Sequence, residues 1–165
     1  MSRILGIDPG SRITGYGVVE STPGGLQYIA SGCIRTESET FFERLKQIFD
    51  GMTEIVAIYQ PQQVAIEQIF MNKNADSALK LGHARGAVIC AVLNQHLPVF
   101  EYAARQVKQA VVGKGGADKH QVQHMVKILL SIQGEIQIDA SDALAVCLCH
   151  SHYQETATRL KQAGL

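Results

Sequence analysis

No two of the four cysteines stand at C-x-x-C spacing, so the usual redox and paired zinc-ligand signatures are missing. Cys33, Cys90, Cys147 and Cys149 therefore read as buried, reduced thiols of a reducing compartment. Uninterrupted apolar runs of membrane-spanning length are also missing. Met1-Ser2-Arg3 leads straight into a strand-like run rather than a signal peptide, and a cytoplasmic location is expected. There is no internal repeat, low-complexity tract or linker. With 46% apolar and 18% charged residues over 165 positions, the chain is expected to form one domain, 1–165, with a full core. Net charge is missing too, since 15 Lys and Arg balance 15 Asp and Glu, which argues against binding nucleic acid by bulk charge.

The distribution of that charge points the other way. Residues 1–71 hold five Lys/Arg against eight Asp/Glu, residues 72–130 eight against three, and residues 131–165 two against four. A basic middle between acidic flanks suggests a cationic face beside a cluster of carboxylates.

Three β-like runs open the chain, at 3–8, 13–20 and 26–35, separated by the turn signals Pro9-Gly10-Ser11 and Pro23-Gly24-Gly25. Apolar residues at helical spacing from Phe41 to Tyr59 predict a helix, with Thr40 and Glu43 as a capping box and Pro61 after its end. Val64 to Glu67 reads as a short strand. A helix follows from near Asn74 to about Gln95, then a strand at Val99–Tyr102 and a short helix over 103–112. Further helices are expected over 117–130 and from about Asp139. A meander followed by αβ units implies an α/β fold with a five-stranded mixed sheet and helices on its faces.

Asp8 and Glu67 each close an apolar strand, where an unpaired charge is costly. Asp139 and Asp142, three apart at a helix start, share a face. Four such carboxylates would suit hard divalent cations, which prefer oxygen ligands and in pairs can drive phosphodiester hydrolysis. Each acid also has an ordinary explanation. D-x-x-D at a helix start is commonly a cap, Asp before Pro-Gly a turn, and a strand-ending Glu a rim residue. Their joint occurrence favours the metal site.

Arg105, Lys108, Lys114, Lys119, Lys73 and Lys80 are the candidate phosphate-binding cations, and the Gly-rich loop around Lys114 could offer backbone N–H groups. Phe70 and Met71 could stack on or wedge between bases, with Asn72 in the same loop. Ala75, Ala78, Gly82 and Gly86 would let another helix approach closely. Cys147, Cys149, His150 and His152 fan around one helix with no second ligand pair, so they read as packing residues rather than a zinc site.

Four blocks together resemble the RuvC family of Holliday-junction resolvases, on the ribonuclease-H-like fold: GIDPGSRITGYGVVE (6–20), AIEQIFMNKNADSALKLGHARG (65–86), FEYAARQVKQAVVGKGGADKHQVQHMV (100–126) and DASDALAVCLCHSH (139–152). The resemblance implies a homodimeric endonuclease that uses two Mg²⁺ or Mn²⁺ ions per active site. It would nick two strands of a four-way junction symmetrically, leaving 5′-phosphate and 3′-hydroxyl ends, in recombination and repair beside the RuvA–RuvB complex. It places the metal-binding acids at Asp8, Glu67, Asp139 and Asp142, catalytic lysines at Lys108 and Lys119, a junction-contacting aromatic at Phe70, and the dimer helix around Ala78, Gly82 and Gly86. The apolar stretch Ser131–Ile138 and the short, weakly basic tail after His152 depart from the pattern.

Two other classes compete. An actin-like or sugar-kinase-type ATPase also opens on a strand and D-x-G, but needs two related lobes, for which the chain is too short. A junction-binding module without catalysis would bind DNA and never nick it.

Overall fold

The computed structural model describes residues 1–69 and 74–164. Strands β1 (Ser2–Asp8), β2 (Ile13–Thr22) and β3 (Gly25–Arg35) form an antiparallel meander, followed by helix α1 (Phe41–Tyr59). Strand β4 (Gln63–Glu67), helix α2 (Ala75–Leu93) and strand β5 (Val99–Tyr102) come next. Helices α3 (Ala104–Val112), α4 (Lys119–Leu129) and α5 (Ile138–Gln162) complete the chain. The sheet order is β3-β2-β1-β4-β5, with β4 parallel to both β1 and β5. This is the expected mixed five-stranded ribonuclease-H-like sheet.

Period-two alternation sorts the strand side chains into two cores. Leu5, Ile7, Val18, Val64 and Ile66 pack against α1 and α2, through Ile48, Met52, Val88 and Val92 among others. Ile4, Val19, Ala65 and Tyr102 pack against α3, α4 and α5 on the other face. Thr40 caps α1, accepting from the Glu43 N–H and donating to its carboxylate at 2.8 Å. Gln60 ends that helix in the left-handed conformation, one residue before Pro61.

Several element boundaries differ from the sequence expectation. Helix α4 starts at Lys119 rather than Ala117, because Asp118 and Gln121 exchange capping bonds at 2.9 and 3.0 Å. Helix α5 starts at Ile138 and continues to Gln162, so most of the tail after His152 is helical. Cys33 is half-buried and Cys90 is exposed, not buried as expected, since Cys90 lies on the outer side of α2 away from Val88 and Val92.

Helix α5 lies directly on the sheet, and three glycines explain how. Gly6 on β1 and Gly15 and Gly17 on β2 all face it. A Cβ at Gly6 would fall 2.1 Å from the Ala143 carbonyl oxygen, and one at Gly17 2.6 Å from the Leu144 side chain. Removing side chains from this strip lets the helix backbone approach the strand backbone. The Cys147 thiol then reaches the Gly17 carbonyl, with Sγ 3.4 Å from the oxygen.

Candidate active site

Asp8 and Glu67 end adjacent parallel strands whose register pairs Ile7 with Ile66. Both follow residues of the α1/α2 core, so alternation turns their side chains to the α5 face. Extending the register by one residue sets the two carboxylates side by side. The turn after Asp8 is held by Thr14, whose buried hydroxyl donates to the Gly10 carbonyl (3.0 Å) and accepts from its N–H (3.3 Å). That turn is therefore fixed without the Asp8 side chain.

The third side of the site is the start of α5. Its N-cap is Gln137, with no side-chain capping bond, so neither Asp139 nor Asp142 is spent as a cap. Gly15 positions this turn, since a Cβ there would stand 2.0 Å from the Asp139 carbonyl oxygen. The fourth side comes from α3 and α4, which bring Lys108 and Lys119.

Asp8, Glu67, Asp142, Lys108 and Lys119 line one cavity of about 250 Å³, floored by Ala104, Val107, Val122 and Ala145. Asp139 stands at its margin rather than in its wall, close enough for its charge to act on Asp8 and Asp142. Burial, reinforced by the charges of Asp142, Glu67 and Asp139, pushes the Asp8 carboxyl up to about 8, against the opposing pull of Lys119. Glu67 is raised by burial and by Asp142, while Lys108 and Lys119 draw it down. Asp142 is raised by burial and by Asp139, and the same two lysines oppose the shift.

Four carboxylates repelling one another beside two lysines are a hard-oxygen donor set, the chemistry that suits a divalent cation. Among the described residues, however, no group of three or more His, Cys, Asp or Glu is closed into a coordination shell. Asp8, Glu67 and Asp142 share a cavity without closing on one point. The zinc alternative in the middle of α5 fails on geometry. Cys147, Cys149 and His150 are buried, and His150 instead bonds Tyr102 Oη through Nδ1 (2.8 Å) and Gln63 Oε1 through Nε2 (2.9 Å).

The other expected contacts divide. Lys80 pairs with Asp76 one turn earlier on α2, at 2.7 Å. Arg105 is exposed and packs its stem beside Gly115. Lys114 is exposed in the loop, but the Gly115 N–H donates to Gln109 Oε1 at 3.1 Å and so is not free for a phosphate. Phe70, Met71, Asn72 and Lys73 lie outside the described residues. Ala78, Gly82 and Gly86 line an apolar groove of about 660 Å³ with Ile69, Ala75, Leu79 and His83.

A family model described as crossover junction endodeoxyribonuclease RuvC matches residues 4–150. The chain belongs to the RuvC family. A crossover junction endodeoxyribonuclease RuvC from Tolumonas auensis is 62% identical over 160 residues, covering 97% of this chain and 92% of that protein. The RuvC of Methylococcus capsulatus is 59% identical over 162 residues, covering 98% of each. The structure of Thermus thermophilus RuvC in complex with Holliday junction substrate superposes with a TM-score of 0.88. It is 32% identical, covering 96% of this chain and 98% of the other.

Sequence reasoning missed two features of this RuvC-family site. Gly6, Gly15 and Gly17, alternating on neighbouring strands, were a visible signal that a helix backbone would lie there. Arg85, which reaches the Glu67 backbone from α2, had no local signal at all.

Proposed function

We propose that the chain is a structure-specific endonuclease, a crossover junction endodeoxyribonuclease that resolves four-way DNA junctions by paired symmetrical nicks. One observation carries this reading. Three carboxylates and two lysines from five separate elements line a single small cavity, in a chain of the RuvC family. A passive binder does not account for that arrangement, because it has no use for a charge cluster this unfavourable.

Asp8, Glu67, Asp142 and Asp139 would hold two Mg²⁺ or Mn²⁺ ions. Bound there, the metal pair would supply an activated water for in-line attack and stabilisation of the leaving oxygen, giving 5′-phosphate and 3′-hydroxyl ends. Lys108 and Lys119 hold the scissile phosphate and stabilise the charge that builds on it. Arg105, Lys114 and Lys80, with Phe70, Met71, Asn72 and Lys73, contact the surrounding phosphates and bases.

The protein works as a single domain over 1–165 and as a homodimer through the Ala78, Gly82 and Gly86 face of α2, acting in the cytoplasm with the RuvA–RuvB complex. Paired nicking requires two active sites, which the dimer provides. Among the described residues no helix is long and apolar enough to cross a membrane.

The test is incubation with a mobile four-way junction and Mg²⁺, beside a linear duplex of the same sequence. Symmetrical nicks on the junction alone are expected. Equal cutting of both substrates, or binding without any nick in Mn²⁺, would refute the assignment.

A further inference from the structure

Arg85 stands on α2 between Gly82 and Gly86, on the opposite side of the sheet from the catalytic cavity. Its side chain is only 17% exposed. Its Nε donates to the backbone carbonyl of Glu67 at 3.4 Å, and its Nη2 pairs with the carboxylate of Glu101 on β5. Strand alternation makes both contacts possible. Tyr102 faces α5, so Glu101 faces α2. Glu67 is the last residue of β4, where the ladder to β5 ends at the Glu67–Tyr102 pair. At that point the guanidinium offers a donor to the end of the strand. The Glu67 side chain projects to the other face, where Asp142 repels it.

We propose that Arg85 is a positioning residue for the reaction. Held by Glu101, it fixes the Glu67 backbone so that the carboxylate stays aimed into the cavity against that repulsion. A planar guanidinium can meet the carbonyl and the carboxylate at once, which an ammonium cannot do in the same way. The same side chain joins the catalytic acid to the helix that carries the small-residue stripe. This inference rests on Glu67 serving as a metal-binding acid.

The experiment is a Mn²⁺ titration followed by water-proton relaxation, without junction and without turnover, on wild type, Arg85→Gln, Arg85→Lys, Glu101→Gln and Glu67→Gln. Loss of a group that orients a metal ligand ordinarily weakens affinity by 10- to 100-fold. Arg85→Gln should lose roughly tenfold, the low end of that range, since it acts through the backbone. Arg85→Lys should recover part of the loss and Glu101→Gln should fall between, while junction binding in chelator stays unchanged in all three. Unaltered Mn²⁺ affinity in a folded Arg85→Gln protein would overturn the proposal. Should that variant fail to fold, Arg85→Lys and Glu101→Gln decide by the same criterion. If Glu67→Gln binds Mn²⁺ as wild type does, the role of Glu67 itself is wrong and both readings fall.

Discussion

Gly15 and Asp139 meet backbone to backbone: a Cβ on the glycine would lie 2.0 Å from the aspartate carbonyl oxygen. The contact sets where α5 begins, and therefore where Asp139 and Asp142 stand relative to Asp8. Gly15→Ala must push the helix away. We expect a stability loss of about 1–3 kcal/mol, typical of overpacking. Nicking should fall further than that loss predicts, because the carboxylates move as a unit. Thermal unfolding together with a single-turnover assay checks this, and full activity in the variant would contradict it.

Gly82 offers the opposite case. Among the described residues, a Cβ there meets nothing within 4 Å. Gly82→Ala should therefore raise helix stability by up to about 1 kcal/mol in the isolated chain. If α2 packs against a second copy, the added methyl weakens that association. Sedimentation across a concentration series is expected to show weaker dimerisation, and an unchanged dimer would place the interface elsewhere.

Asp8 makes the stability of the metal-free protein depend on pH in an unusual direction. Its folded value, about 8, lies above its ordinary 3.8, so the folded state holds a proton that the unfolded chain releases. Stability from this group is complete below about 3.8 and is lost as pH rises through 8. In chelator at pH 8, Asp8→Asn should unfold several degrees above wild type, and the gap should close by pH 4. The same substitution should leave junction binding intact and lower nicking by at least about 100-fold. Melting curves with and without EDTA, beside a nicking assay, test both halves.

Lys119 pulls down the carboxyls of Asp8, Glu67 and Asp142, and Lys108 pulls down the latter two. Lys119→Ala should slow cleavage by roughly 10- to 100-fold through lost charge stabilisation. Its pH–rate profile should also move to higher pH, since all three acids lose the cation that keeps them ionised. A slower enzyme with an unmoved profile would limit Lys119 to holding phosphate.

His150 works in the reverse sense. Burial holds its imidazole down at about 4, so the folded state favours the neutral ring bonded to Tyr102 and Gln63. The unfolded chain takes up the proton near 6.5. The contribution is therefore complete above 6.5 and lost as pH falls towards 4. The stability difference between wild type and His150→Gln should narrow across that window when followed by denaturant titration. A constant difference would mean the ring titrates normally.

Much of the architecture was legible because local chemistry wrote it. The apolar runs ending at Asp8 and Glu67, the Thr40–Glu43 cap and the stop at Pro61 each act over a few residues, and each formed as expected. Asp8, Glu67, Asp142, Lys108 and Lys119 were also identifiable beforehand, and they share one cavity. The helix starts shifted by one or two residues because capping partners such as Asp118 and Gln121 competed with equally plausible ones.

The sequence by itself determined which strands end on acids, which faces are apolar and which family pattern the chain follows, since these depend on residue type and period. Only the tertiary structure decided that Asp139 stands at the cavity's margin, that Gln109 takes the Gly115 N–H, and that Arg85 reaches the Glu67 carbonyl across the sheet edge. Those outcomes depend on how closely backbones far apart in the chain approach one another, and no short-range spacing encodes that distance.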